Sequence, residues 1–253
     1  MHAASQTSRL RALSTPDVVD ALLNFGISKV IMRGIRPMVS QKGTRAGRAR
    51  TLRLLPDRED VKSGPYGSVN RTLYDSIREG EMLIVDAMGV QDKAVLGDMM
   101  FQRLCARGIE GIVVNGAVRD VQALNHLQLA VFAMGTWPQA FKGHLRAWEA
   151  DCDVACGGVL VRPGDWIVAD EEGVVVVPDS KLGGVLDTAE RKAAHDSFSR
   201  ALLAACTSLD CAYPLPDYMI GFIPEFERTG TLPTAQQIEE AKITWAPLKP
   251  API

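Results

Sequence analysis

Two short apolar runs separated by one helical stretch constrain the fold of this chain more than any other feature. Residues 82–85 read Met-Leu-Ile-Val, and residues 111–114 read Gly-Ile-Val-Val. Runs of this length bounded by turn residues are typical of strands that are covered on both faces. The pattern of residues 95–107 predicts a helix, which Gly108 ends. Strand, helix and strand in this order predict a βαβ unit with parallel strands and a right-handed crossover.

The remaining elements extend this unit to an α/β domain. Ser14-Thr15-Pro16-Asp17 has the residues of a helix start. Further helices are expected at 69–77 and 181–203, a short one at 121–127, and strands at 81–87, 129–134, 157–161, 166–170 and 174–177. The predicted organisation is an N-terminal arm at 1–13, one domain at 14–205 and an extension at 206–253. The extension is rich in Pro and aromatic residues, and we expect an irregular segment that packs on a neighbouring subunit.

Composition excludes several classes of protein. The chain has 253 residues, 47% of them hydrophobic, which is enough for a substantial core. Eight cations fall within residues 28–53, but the net charge of −2 favours a solvated strand face over an RNA or phosphate patch. We therefore expect neither nucleic acid nor membrane as a partner. No apolar run reaches the roughly 18 residues of a membrane span, and the first 13 residues lack the apolar segment of a signal peptide, so the expected location is the cytoplasm. Five cysteines, an odd number, argue against a disulfide framework, and their spacing disfavours zinc.

Candidate functional residues follow each strand of the βαβ unit. Gly97-Asp98-Met99-Met100 opens the helix, where free backbone N–H groups can hold a carboxylate and Gly97 permits close approach. Arg119-Asp120 follows the second strand, which is expected to end at Asn115-Gly116, so both segments should lie at the same sheet edge. Asp120 can bind a hard cation such as Mg²⁺, with Asp98 holding one of its waters, and Arg119 suits a carboxylate or enolate oxygen. Taken alone, the same residues could be a surface ion pair and a helix cap.

Three motifs in order carry a resemblance to a known family. They are Leu96-Gly-Asp-Met-Met100, the run from Gly108 to Asp120, and Val161-Arg-Pro-Gly-Asp165 followed by 169–178. Over about residues 14–200 the chain resembles the regulator of ribonuclease activity A/4-hydroxy-4-methyl-2-oxoglutarate (HMG) aldolase family. The resemblance implies a swivelling β/β/α fold and trimers or hexamers with active sites between subunits. Asn115 departs from the usual Asp of the family, and at an expected turn this change is mild.

The aldolase branch of the family implies a role for each site residue. A divalent metal, Mg²⁺ or Mn²⁺, would sit on Asp120, and Arg119 would contact the keto oxygen of a pyruvate moiety. The backbone of Gly97–Met100 would hold the substrate carboxylate, and Asp98 would touch the metal through water. Family members also use an acid from a neighbouring subunit, for which Glu190, Glu225 and Glu227 are candidates.

The resemblance therefore predicts a class II aldolase that cleaves a 4-hydroxy-2-keto acid to pyruvate and a second carbonyl compound. Oxaloacetate decarboxylation is expected as a side activity, because it passes through the same enolate. Two alternatives stay open: a trimeric regulator that binds an RNA-degrading enzyme, and a sugar-acid lyase or hydratase that uses the same metal site. The sequence does not determine the substrate. Residues 64–75 and 136–149 are expected to shape the pocket, with Thr136-Trp137-Pro138 and Lys142 as candidate wall residues.

Overall fold

The computed structural model describes residues 2–61, 68–205 and 209–245. The helices are α1 (His2–Arg11), α2 (Thr15–Leu23), α3 (Val69–Ser76), α4 (Asp98–Ala106), α5 (Leu182–Ala205), α6 (Ile223–Thr229) and α7 (Ala235–Trp245). The strands are β1 (Arg36–Pro37), β2 (Arg45–Pro56), β3 (Glu81–Ala94), β4 (Gly111–Val118), β5 (Ala130–Thr136), β6 (Leu145–Ala150), β7 (Val154–Cys156), β8 (Val159–Val161), β9 (Trp166–Ala169) and β10 (Val174–Val177). Two compact units, Met1–Asp187 and Thr188–Ile253, divide the chain within α5.

Eight strands of the first unit form one sheet that closes almost into a barrel. Their order is β1-β5-β4-β3-β2-β9-β10, with β6 paired to β2. Strands β2, β3, β4 and β5 run parallel, so the predicted β3-α4-β4 unit is present. The segment 30–38 joins the two sheet edges. Met32 N donates to Val174 O on β10 at 3.0 Å, and Met38 N donates to Val131 O on β5 at 2.8 Å.

Alternating side chains of the parallel strands supply two cores, one on each face of the sheet. Met82 and Ile84 of β3 belong to a cluster that also contains Val154, Cys156, Val159 and Val161 of the β7–β8 hairpin. Leu83 and Val85 belong to a second cluster that includes Phe101 of α4 and Leu73 of α3. Because successive side chains of a strand point to opposite faces, the hairpin fills the barrel interior and the helices cover its outside.

The start of α2 is fixed by local hydrogen bonds, as the sequence predicted. Ser14 and Asp17 form a capping box in which Ser14 N donates to Asp17 Oδ2 at 3.1 Å and Asp17 N donates to Ser14 Oγ at 3.3 Å. The backbone N and the hydroxyl of Thr15 each donate to the Asp170 carboxylate at 2.8 Å. Asp170 therefore ties α2 to the turn between β9 and β10.

Two strand boundaries were wrong. Strand β4 continues to Val118 instead of ending at Asn115-Gly116, and β3 continues to Ala94 instead of stopping at 87. The pairing register shifts between Val114 and Ala117, so Asn115-Gly116 forms an irregularity inside the strand and not a turn. Gly116 is needed there because a Cβ would lie 2.9 Å from both Ala87 Cβ and Val90 O of β3.

The second unit is mostly helical within its described residues, which corrects the expectation of an irregular tail. Its core contains Phe198, Leu202, Ala212, Met219 and Ile223. Helix α6 has a proline in its first turn, and Gly230 follows its last turn in the left-handed conformation. In this segment proline and glycine therefore mark the start and the end of a helix. The expected packing on a neighbouring subunit stays a prediction. Within the described ranges, no helix combines the length and apolarity that crossing a membrane requires.

Candidate functional site

The candidate site forms where the chain leaves β3 and β4. Beyond the sheet the two segments stay hydrogen-bonded: Val95 N donates to Ala117 O at 2.9 Å, and Arg119 N donates to Leu96 O at 3.0 Å. This pairing places the start of α4 against the end of β4. The structure thus brings Gly97 and Arg119-Asp120 together at one sheet edge.

Gly97 is the point of closest contact between the two segments. A Cβ on Gly97 would lie 2.6 Å from Asp120 Oδ2 and 3.1 Å from Arg119 Cγ and Nε. Its φ of −151° is extended backbone that any residue can adopt. Glycine is therefore required here by the space that Arg119 and Asp120 occupy and not by its backbone conformation.

Asp120 has a strained backbone and an accessible carboxylate. Its φ of 55° and ψ of 33° are left-handed, a conformation that costs a non-glycine residue about 1–2 kcal/mol. Arg119 Nε lies 3.2 Å from Asp120 Oδ2, and the two side chains are 42% and 43% exposed. An exposed ion pair contributes only about 0–1 kcal/mol, which does not offset the strain. Strain of this kind, retained with half-exposed charges, is typical of functional sites.

The N-terminus of α4 retains part of its anion-binding capacity. Gly97 makes no side-chain cap, and Met100 N donates to Gly97 O at 3.0 Å. The Asp98 carboxylate accepts a hydrogen bond from Met99 N at 2.7 Å, so in this structure Asp98 acts as a local cap. The N–H of Asp98 has no partner among the described residues and is available to a ligand.

A pocket of about 200 Å³ adjoins these residues. This volume lies below the range of about 300–1,000 Å³ that is typical of sites for drug-sized ligands, so the pocket suits a small metabolite. Its lining comprises Ala94, Val95, Leu96, Gly97, Asp98, Met99, Met100, Arg119, Ala140 and Phe141. All six predicted site residues therefore lie in the pocket or, for Asp120, directly behind Gly97.

One pocket wall comes from the loop after β5. Ala94 N donates to Gln139 O at 2.8 Å, and Phe141 N donates to Ala94 O at 3.0 Å. Ala140 and Phe141 line the pocket, whereas Thr136, Trp137, Pro138 and Lys142 of the same expected region do not. Sequence reasoning identified the segment 136–149 but missed these two residues, because nothing in their type distinguishes them from packing residues.

The residues at this edge fit a hard divalent cation. The Asp120 carboxylate offers hard oxygen ligands and is 43% exposed, and it lies against the backbone of Gly97 because that residue has no Cβ. Within the described parts of the chain, no three His, Cys, Asp or Glu side chains converge into a metal cage. A single carboxylate with waters is a set that Mg²⁺ accepts, because it keeps several waters when bound to protein, whereas structural zinc requires four protein ligands.

Asn115 has a different role from the predicted turn residue. It lies in β4, and its Nδ2 donates to Asp86 Oδ1 at 3.1 Å and to Ala155 O at 3.2 Å. Its Oδ1 accepts from Gly157 N at 3.3 Å. Asn115 and Asp86 therefore hold the β7–β8 hairpin against the irregular parts of β3 and β4 that lead into the site.

The cations of residues 28–53 include four on β2 that are paired with acids. Arg48 lies 2.9 Å from Asp179, Arg50 lies 2.7 Å from Asp151, and Arg53 lies 3.3 Å from Glu149. Arg45 lies 3.7 Å from Glu110, which is buried and also pairs with Arg11. These ion pairs support the interpretation of the cations as a strand face whose positive charge is balanced by nearby acids.

The three acids considered for a neighbouring subunit, Glu190, Glu225 and Glu227, all belong to the second unit. Glu225 pairs with Arg228 of its own helix at 2.5 Å. Their contribution to a neighbouring site stays a prediction.

Comparison with known proteins gives consistent matches to this fold. A family model described as RraA-like, Aldolase/RraA, matches residues 15–176. A protein of Halalkalibacterium halodurans named "Putative 4-hydroxy-4-methyl-2-oxoglutarate aldolase" is 32% identical over 75% of this chain and 84% of its own length. A protein of the same name from Hahella chejuensis is 31% identical over 65% of this chain and 93% of its own length.

Among solved structures, Streptomyces coelicolor RraAS2 superposes with a TM-score of 0.71 at 32% identity, over 78% of this chain and 96% of its own. It is described as an unusual member of the RNase ES inhibitor RraA protein family. The predicted α/β class with its swivelling β/β/α domain and C-terminal extension is thereby confirmed.

Proposed function

This chain belongs to the Aldolase/RraA family, and on that premise we propose that it is a divalent-metal-dependent class II aldolase. In this proposal it cleaves a 4-hydroxy-2-keto acid to pyruvate and a second carbonyl compound. The convergence of Gly97 with Arg119 and Asp120 carries the proposal, because it places a strained, accessible carboxylate beside a guanidinium that lines a small pocket. The relatives named as aldolases support this reaction class.

Asp120 would hold Mg²⁺ or Mn²⁺ directly, and Asp98 would reach the same ion through a water. The ion, when bound, supplies positive charge that favours the enolate over the ketone. In this proposal the Asp98 carboxylate, which accepts from Met99 N in the structure, turns towards that water. That change frees the N–H of Met99 as a second donor at the start of α4, next to the N–H of Asp98.

The substrate would lie between α4 and the end of β4. Its α-carboxylate accepts hydrogen bonds from the N–H groups of Asp98 and Met99, where the helix dipole favours negative charge. Arg119 donates to the keto oxygen, and its planar guanidinium is suited to the oxygen of an enolate. Arg119 therefore stabilises the charge that develops during bond cleavage, which is the most effective use of a preorganised donor.

Cleavage of the C3–C4 bond leaves its electron pair on C3, as the enolate of pyruvate. The C4 hydroxyl loses its proton to an ordered water, which Asp98 can orient, and C4 becomes the carbonyl of the second product. Protonation of C3 then gives pyruvate. Oxaloacetate that loses CO₂ forms the same enolate, so the proposal includes decarboxylation as a side activity.

We further propose that the active form is a trimer or a hexamer. An acid from the second unit of a neighbouring subunit would complete the site, with Glu190, Glu225 and Glu227 as the candidates. The sugar-acid lyase or hydratase alternative shares the metal site and differs in substrate.

A regulator of an RNA-degrading enzyme is the second candidate function. The similarity to RraAS2, a protein described within an RNase inhibitor family, favours it. The strained Asp120 beside a pocket that Gly97 and Arg119 line argues for catalysis, since a surface that only binds a protein does not need such a pocket.

A coupled assay separates the two candidates. The protein is incubated with 4-hydroxy-2-keto acids or oxaloacetate and Mg²⁺ or Mn²⁺, and pyruvate is followed with lactate dehydrogenase and NADH. We expect metal-dependent pyruvate release that EDTA removes and that Arg119→Ala abolishes. The absence of pyruvate from every substrate with either metal, or full activity of Arg119→Ala, would refute the enzyme proposal.

A further inference from the structure

A second cavity lies at the edge of the sheet opposite the candidate site. It has a volume of about 440 Å³ and is bounded by α1 and by the starts of β3 and β4. This volume falls in the range of about 300–1,000 Å³ that is typical of sites for small organic ligands. The charged side chains of its lining are two cations and three anions, namely Arg11, Arg48, Glu79, Glu81 and Glu110.

Both arginines and one of the glutamates already have partners within the protein. Arg48 lies 2.9 Å from Asp179, and Arg11 donates a hydrogen bond to Glu110 Oε2. Glu81 forms an ion pair of 3.2 Å with an arginine of β2. An anionic ligand would compete for guanidinium groups that protein carboxylates already hold, which disfavours an anion in this cavity.

Glu79 and Glu110 retain the capacity to accept further hydrogen bonds. The Glu110 side chain is only 6% exposed, yet its Oε1 accepts no hydrogen bond from any described residue. Arg45 Nη1 lies 3.7 Å from this oxygen, which is too far for a hydrogen bond. Glu79 is exposed and forms no ion pair within the described ranges. The uncommitted charged groups are therefore acceptors, and one of them is a buried carboxylate oxygen that is costly to leave unbonded.

From these groups we infer that the cavity binds a small organic cation, namely a short aliphatic diamine. One ammonium group donates to Glu110 Oε1 and the other donates to the Glu79 carboxylate, as charge-assisted hydrogen bonds. The ligand also meets the negative end of the α4 dipole, because Gly108, which follows the C-terminal cap of that helix, belongs to the lining. This site lies at the edge opposite Arg119-Asp120, so it does not depend on the reaction proposed there.

Calorimetric titration of the full chain with 1,4-diaminobutane tests the proposal. The titration is made in about 0.15 M NaCl, where the Debye length of about 8 Å suppresses diffuse attraction to acidic surface. We expect saturable binding of the diamine, and at least about tenfold weaker binding of butane-1,4-diol, which has the same length without charge. No saturable binding of the diamine, or equal binding of the diol, overturns the proposal.

Three Glu→Gln variants locate the binding. Glu79→Gln and Glu110→Gln keep the shape of the side chain and remove its charge, and each should weaken diamine binding at least about tenfold. Glu59→Gln is the matched control, because it changes an exposed acid outside the lining and should bind like the wild type. Glu110 also holds Arg11, so folding of its variant is checked by circular dichroism, and the exposed Glu79 variant decides the outcome if Glu110→Gln does not fold. Wild-type diamine binding by Glu79→Gln or by a folded Glu110→Gln, or an equal loss in Glu59→Gln, overturns the proposal.

Discussion

Substitution of Gly97 by alanine tests whether the site depends on the close approach of its two segments. A Cβ would lie 2.6 Å from Asp120 Oδ2, whereas ordinary contact begins at 3.4 Å, so the carboxylate must retreat by about 0.8 Å (3.4 − 2.6). Misplacement by about 1 Å can cost about 100-fold in rate. We therefore expect kcat/KM for pyruvate release to fall about 100-fold, equivalent to about 2.7 kcal/mol.

The same substitution should affect stability little. The backbone of Gly97 is extended and accepts alanine, and the Asp120 side chain is 43% exposed and free to move outwards. We expect the free energy of unfolding to change by less than about 1 kcal/mol, which corresponds to a shift of about 2–4 °C in Tm for a chain of this size. Activity at saturating Mg²⁺ and thermal unfolding by circular dichroism measure the two effects separately.

Gly183→Ala is the matched control. Gly183 lies in α5, and a Cβ there meets no atom within 4 Å. Alanine should keep wild-type activity and raise stability by up to about 1 kcal/mol through helix propensity. Wild-type activity in Gly97→Ala would show that the close approach of the two segments has no catalytic use. A Tm loss well above 5 °C would show instead that Gly97 is a packing residue.

Three further predictions concern interactions within the fold. Asn115→Ala removes the hydrogen bonds to Asp86, Ala155 and Gly157. Because Asp86 is charged, we expect the free energy of unfolding measured by urea titration to fall by about 2–3 kcal/mol. An unchanged urea midpoint of unfolding would contradict this. Thr15→Val removes the 2.8 Å bond from the buried Thr15 hydroxyl to Asp170 and should cost about 1–2 kcal/mol in the same measurement, with Thr15→Ser as the variant that retains the bond. Burial raises the pKa of the Cys156 thiol, so little of the reactive thiolate is present at pH 8. Iodoacetamide should therefore modify this residue only after the protein unfolds. Rapid alkylation of Cys156 in the folded protein, detected by peptide mass mapping, would contradict the expected burial.

The βαβ unit was predictable because its signals are local. The apolar runs at 82–85 and 111–114 and the glycine that ends α4 specify their elements without help from distant residues. Parallel strands joined by one helix must then place Gly97 and Arg119-Asp120 at the same edge. For this reason the location of the candidate site followed from the sequence, although the assignment of roles needed the family resemblance.

The wrong predictions concern residues whose type is compatible with two different local structures. Asn115-Gly116 is a strong turn signal in isolation, but here β3 and β4 both carry irregularities that only their mutual packing reveals. The Pro-rich composition of the extension predicted an irregular segment, whereas a proline there starts α6 and Gly230 ends it. Ala140 and Phe141 could not be identified as wall residues, because the hydrogen bonds that hold this loop beside Ala94 are made by backbone atoms of Gln139 and Phe141.

The most direct test of the account is metal-dependent pyruvate release by the wild type beside Asp120→Asn. Asparagine keeps the shape of the side chain and removes the charge that would hold the cation. We expect the wild type to lose activity in EDTA and regain it with Mg²⁺ or Mn²⁺, and Asp120→Asn to be at least about 1,000-fold less active at every metal concentration, a loss of about 4 kcal/mol. Pyruvate release that survives EDTA, or an Asp120→Asn variant as active as the wild type, would contradict the account.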